Sequence, residues 1–210
     1  MYETLKVRVS ERRLQSYEAA TGGDPVRTLA LYDWNLQISA AFFEDLATAE
    51  VVLRNAIDQR LRRRYQAVAA AQPWYDQMRL SDAARGKLDN AKQKILISGG
   101  QLDQDSVVAE LTMGFWRFLL TSTYQSTVWP FVQNAFREQS GAAVARVRVD
   151  TKAGTLYGLR NRVAHHEPVF NLNLPARHAD LLEFTAWICP DTSAWIAGRS
   201  RFHQVLAIRP

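Results

Sequence analysis

Cysteine is nearly absent from the 210 residues: Cys189 stands alone. One thiol excludes an intramolecular disulfide framework and any cluster of thiolate ligands, which fits a reducing compartment. No run of about 20 apolar residues occurs, so no membrane span is expected. Met1 to Ser10 mixes Glu3, Lys6 and Arg8 among its apolar residues and lacks the apolar centre of a signal peptide. The expectation is a cytoplasmic protein without a membrane partner. Runs of alternating β-branched residues bounded by hairpin turns are missing too, as are internal repeats and low-complexity tracts. Nothing resembling a linker divides the chain, so one all-α domain covering 1–210 is expected, a bundle with long antiparallel helices.

Lysine is also scarce. Of 26 basic residues, 21 are arginine, with a formal net charge of +5 and a pI near 9.6. Guanidinium pairs bidentately with phosphate and stacks on bases, so the bias suits a nucleic-acid partner. An arginine preference of a GC-rich genome would produce the same composition. The run Arg60, Arg62, Arg63 and Arg64 could contact an RNA backbone or form a solvated face.

Asp24-Pro25 is a helix start, a capping carboxylate ahead of proline at the first helical position. From there Leu31, Trp34, Ile38, Phe42, Leu46, Ala49, Leu53, Ile57 and Leu61 recur at steps of three or four. This predicts one long helix reaching Arg64. A shorter one precedes it, capped by Ser10, burying Leu14 and Tyr17 and ending at Thr21-Gly22-Gly23. Gln72-Pro73 breaks the pattern, and Ser81 caps a helix to about Ile97. Asp103 to Met113, Phe115 to Tyr124 and Trp129 to Arg137 read as helical, with interruptions at Gly114 and before Pro130. Ala143 to His165 is the next long helix. Leu174-Pro175 opens another through Ile188, and a last short one begins near Asp191. Phe115, Trp116 and Phe118 read as core filling, with base stacking as the lesser alternative.

Chemistry concentrates in Leu159 to Glu167, where two imidazoles, two guanidiniums, an amide and a carboxylate crowd a helix end. Asn161 and His165 lie four apart on one face, so Asn161 could orient His165. Arg160 and His166 lie six apart, and either histidine could approach a phosphate held by Arg160. Arg160 could instead pair with Glu167 or Glu183. An Arg followed by His after four to six residues is expected roughly once by chance in such a chain; requiring Asn after the Arg lowers this to roughly 0.04. His165, His166 and Glu167 do not make a metal site: neighbours on a helix diverge by about 100°, whereas helical zinc pairs sit at i, i+4. Neither metal nor cofactor is expected.

Leu159 to Glu167 resembles the signature of the Abi-like (abortive infection) family within the HEPN superfamily. Three more segments resemble it: Ala30 to Asn35, Glu50 to Ile57, and Leu111 to Trp116. The resemblance implies a HEPN-type helical bundle that forms a homodimer, with Arg and His of both protomers in one composite cleft where RNA is cut without metal. Arg160, Asn161, His165 and His166 would be catalytic. Glu50, Arg54, Asn55 and Arg162 would contact RNA or support the site. The role implied is that of an endoribonuclease toxin in phage defence, for which an antitoxin or a regulatory RNA is a candidate partner. The alternative is a HEPN domain that binds RNA or a partner protein without cutting.

Overall fold

The computed structural model describes residues 1–66 and 72–210, and every regular element among them is helical apart from one isolated bridge, Arg137–Ala143. α1 (Tyr2–Val9) and α2 (Glu11–Thr21) lead into α3 (Pro25–Gln66), 42 residues long. The Asp24 carboxylate starts α3 by accepting the N–H groups of Val26 and Arg27 at 2.9 and 3.0 Å. Every member of the predicted α3 stripe, Leu31 through Leu61, is buried. At about 1.5 Å per residue the helix spans about 63 Å, enough for most other elements to pack along it.

α4 (Trp74–Gln77) and α5 (Asp82–Ile97), the latter capped by the Ser81 hydroxyl, are followed by α6 (Gln104–Glu110) and α7 (Met113–Phe118). The break falls at Leu111-Thr112, and Gly114 lies inside α7 rather than interrupting it. Its lack of a side chain admits Tyr157: a Cβ there would meet the phenol at 3.0 to 3.2 Å. Phe115 to Tyr124 is not one helix, since α7 stops at Phe118 and a 3-10 turn covers Ser122–Tyr124. Phe115 and Trp116 are fully buried, which leaves core filling as their role.

α8 (Trp129–Val132) is one turn long, with a 3-10 turn at Gln133–Ala135. The bridge to Arg137 holds Ala143 extended, so α9 starts later than expected and runs over Arg146–Ala164. α10 (Leu174–Ile188) is followed by two helices rather than one, α11 (Pro190–Arg199) and α12 (Phe202–Ala207). α9 runs antiparallel to α3, as Glu50 faces Arg160 and Asn35 faces Val169. It is antiparallel to α10 as well, joined by Lys152 to Asp180 at 2.8 Å. A contiguous apolar core extends from Leu14 to Val205. No helix among the described residues is long and apolar enough to cross a membrane.

One polar contact ties the end of α9 to α3. The buried Asn35 carbonyl oxygen accepts two backbone N–H groups, Val169 at 2.8 Å and Phe170 at 3.1 Å. Val169 and Phe170 also pack into the core, Phe170 with its ring centroid 4.9 Å from that of Tyr17. Burial there pushes the Tyr17 hydroxyl up to about 12, so it stays neutral. Replacing Asn35 by Leu keeps the volume and orphans both buried donors. Asn35→Leu should therefore lower stability by about 3 kcal/mol, read by urea denaturation. A loss below about 1 kcal/mol would assign the anchoring to the apolar contacts of Val169 and Phe170 instead.

Candidate functional site

α9 buries Val149, Ala153, Leu156, Leu159 and Val163. This stripe sets Arg160 on the flank that faces α3. There the Arg160 Nε lies 3.4 Å from Glu50 Oε2, both side chains partly exposed. Glu50 Oε1 accepts the Met113 N–H at 2.6 Å, filling an unpaired donor at the start of α7. The carboxylate is thus fixed by α7 and in turn holds the guanidinium. Neither acid considered from the sequence pairs with Arg160: Glu167 lies near Arg162 and Glu183 near Arg148 and Lys152. Among the described residues, no hydrogen bond engages the two terminal nitrogens of Arg160.

Arg54 belongs to the same cleft, about 250 Å³ in volume, with Arg160, Glu50 and Leu111. Its Nη1 donates to the Ala109 carbonyl at 3.3 Å and its Nε to Asn55 Oδ1 at 3.2 Å. Glu50 and Arg54 therefore do not pair with each other. Asn55 itself lines a different cleft.

The end of α9 presents both histidines. Ala164 is its last residue and His165 its cap; His166 N–H donates to Val163 O at 3.1 Å and Glu167 N–H to Arg162 O at 2.8 Å. These are the two bonds of a Schellman turn, whose left-handed position usually holds glycine. Here His166 occupies it with φ 56°. Arg13 Nη1 donates to the His166 carbonyl at 2.6 Å, and Arg162 donates through Nη2 to the Pro168 carbonyl. Arg162 thus latches the turn. Asn161 meets His165 through its backbone carbonyl at 2.9 Å, and no side-chain hydrogen bond joins the pair among the described residues.

His165 and His166 are both exposed. His166 lines an apolar groove of about 570 Å³ with Leu36, Ala40, Phe43 and Val163. Phe43 also lines the Arg160 cleft and separates the two. Arg160 and His166 thus line different clefts of the chain. Sequence reasoning missed Arg13, Asn35 and Phe43. A signal for Phe43 existed: Leu36, Ala40, Phe43, Ala47 and Val51 form a second apolar strip on α3, within about 80° of arc and opposite the buried one. All five are exposed, Leu36 at 41%, Phe43 at 51% and Val51 at 42%.

The rest of the basic run is distributed around α3. Arg62 pairs with Asp58 and Asp105, both at 2.6 Å, and Arg64 lies 5.0 Å over the Phe131 ring. Arg60 donates to the Asn134 carbonyl at 2.9 Å.

A left-handed position costs a residue with a Cβ about 1–2 kcal/mol. His166→Gly is therefore expected to raise stability by about 1 kcal/mol, measured by thermal or urea unfolding. A destabilised variant would show that the imidazole makes contacts worth more than the strain. No family model, no curated protein and no solved structure matches the chain. The functional reading therefore rests on these residues and their arrangement.

Proposed function

We propose that the protein is a metal-independent endoribonuclease of the HEPN type that acts as a homodimer. Its cellular role would be that of an abortive-infection toxin in phage defence, the role implied by the resemblance of its motif. The observation that carries the reading is the placement of Arg160 and His166 at opposite ends of one exposed apolar strip. That strip runs from Leu36 to Val51 with Phe43 at its middle. A two-fold axis through Phe43 would lay the strip on its own copy, covering apolar area that a monomer leaves in water. Under that symmetry the Glu50 end of one protomer faces the Leu36 end of its partner. Arg160 of one would then approach the histidines of the other, and two equivalent composite sites result.

The chemistry follows from the groups brought together. A neutral imidazole takes the proton of a ribose 2′-OH as its oxygen attacks the adjacent phosphorus. A protonated imidazole gives a proton to the departing 5′-oxygen. The terminal nitrogens of Arg160 bind the nonbridging oxygens and offset the charge that builds in the pentavalent transition state. The products carry a 2′,3′-cyclic phosphate and a 5′-hydroxyl. DNA, lacking the nucleophile, is inert.

Purified protein incubated with cellular RNA in EDTA should leave 2′,3′-cyclic phosphate ends. Arg160→Ala should be at least about 100-fold slower. His165→Ala and His166→Ala should each slow cleavage by about 100-fold or more, one removing the base and the other the acid. Phe43→Glu should shift sedimentation toward the monomer and abolish cutting, while its far-UV dichroism stays unchanged. RNA left intact but shifted equally on a native gel by wild type and all variants would replace the enzyme with an RNA-binding module. Cutting that survives Arg160→Ala and both histidine variants would place the chemistry elsewhere.

A further inference from the structure

A second cleft, of about 550 Å³, opens where α3 passes the 3-10 turn after α8 and the junction of α10 with α11. Arg60 and Arg137 line it and converge on one residue. Arg60 Nη2 donates to the Asn134 carbonyl at 2.9 Å, and Arg137 Nη2 to Asn134 Oδ1 at 2.5 Å. Most other guanidiniums along the bundle, including Arg62, Arg117, Arg146 and Arg160, have a carboxylate within ion-pair distance. Among the described residues, Arg60 and Arg137 have none. The acid on the cleft wall, Glu138, is held by Arg148. Two positive charges therefore face one cavity with no carboxylate paired to either.

The walls carry further information. Asn55 and Gln59 present side-chain amides, able to donate and accept, while Val52, Ala56 and Ile188 are apolar. A phosphate ion alone would leave most of such a volume empty, whereas small-molecule sites typically measure about 300–1,000 Å³. A cationic fork, amides and an apolar wall in one cavity match the three parts of a nucleotide.

We infer that this cleft binds a nucleotide unit, with its phosphate between Arg60 and Arg137. Two planar guanidiniums make charge-assisted hydrogen bonds to phosphate oxygens. The amides of Asn55 and Gln59 meet the edges of the base or sugar. The nucleotide is either a free molecule or one residue of an RNA strand, and the site needs no assumption about cleavage. The strand source has a geometric basis. Arg54, in the Arg160 cleft, donates to Asn55 on the wall of this one, and Glu50 and Arg60 are about 15 Å apart along α3.

The test is calorimetric titration of the full chain with AMP, adenosine and a 2′-O-methyl hexaribonucleotide, which binds as RNA but cannot be cut. Arg60→Ala and Arg137→Ala should each weaken the productive ligand at least about tenfold. Added salt should weaken it further. Adenosine should bind far more weakly than AMP. AMP binding that depends on both arginines assigns a free nucleotide. If only the hexamer shows that dependence, the ligand is a strand, and its further weakening by Arg160→Ala shows that one strand spans both clefts. Should an alanine variant melt early, Arg60→Gln and Arg137→Gln decide, since each keeps a polar side chain with an amide donor and removes the charged guanidinium fork. Wild-type affinity in the charge-loss variants overturns the site. So does adenosine binding as well as AMP, or no heat from any probe at millimolar concentration.

Discussion

Polar side chains along α3 fix the positions of α4, α7, α10, α12 and the segment that follows α9. Burying a polar side chain is costly unless it is hydrogen-bonded, so a buried residue such as Asn35 or Asp58 fixes whatever satisfies it. Asn35 holds the Val169-Phe170 backbone. Asp45 accepts from Ser200 at 2.5 Å and lies 3.5 Å from the buried His178, holding the turn before α12 and the middle of α10. Glu50 joins the start of α7 to Arg160. Asp58 accepts the Trp74 indole N–H at 2.8 Å and so docks α4. Apolar burial supplies most of the driving force for collapse but is non-directional. These four side chains give the collapsed bundle one register.

The same logic explains why the end of α9 is well defined though its side chains are exposed. Arg13, Asn35 and Arg162 each bind backbone carbonyl or amide groups between His166 and Phe170. The turn is held by its main chain, which leaves both imidazoles uncommitted.

Much of the fold was legible because helix signals are local. Ser10, Asp24 and Ser81 cap the helices that their sequences announce, and the α3 stripe is buried at every predicted position. Short elements were harder, because their boundaries are set by tertiary contacts. α7 ends at Phe118 although nothing in its composition requires it, and α12 is pinned by the buried Phe202 and by Trp34, whose indole donates to the Val205 carbonyl. In the site, Arg160 and Glu50 could be singled out individually, but their pairing bridges two helices with no sequence marker. The partners of Asn35 and Arg13 lie 134 and 153 residues away, beyond the reach of any spacing rule. The outer strip on α3 was readable in principle and was masked by the stronger stripe on the same helix.

The Glu50–Arg160 contact separates attraction from recognition. A guanidinium with a resident carboxylate projects little field into solvent, so the pair adds little to the charge of Arg54, which lines the same cleft. Under the proposed function, occupancy would be an exchange of counterions: phosphate would either share Arg160 with Glu50 or displace it, and only close, well-oriented contact would make that favourable. The Met113 amide prevents Glu50 from swinging away freely, which raises the threshold. Under the proposed function, capture from a distance would fall to the arginines that have no such companion, and the cleft around Arg160 would discriminate among the strands they deliver.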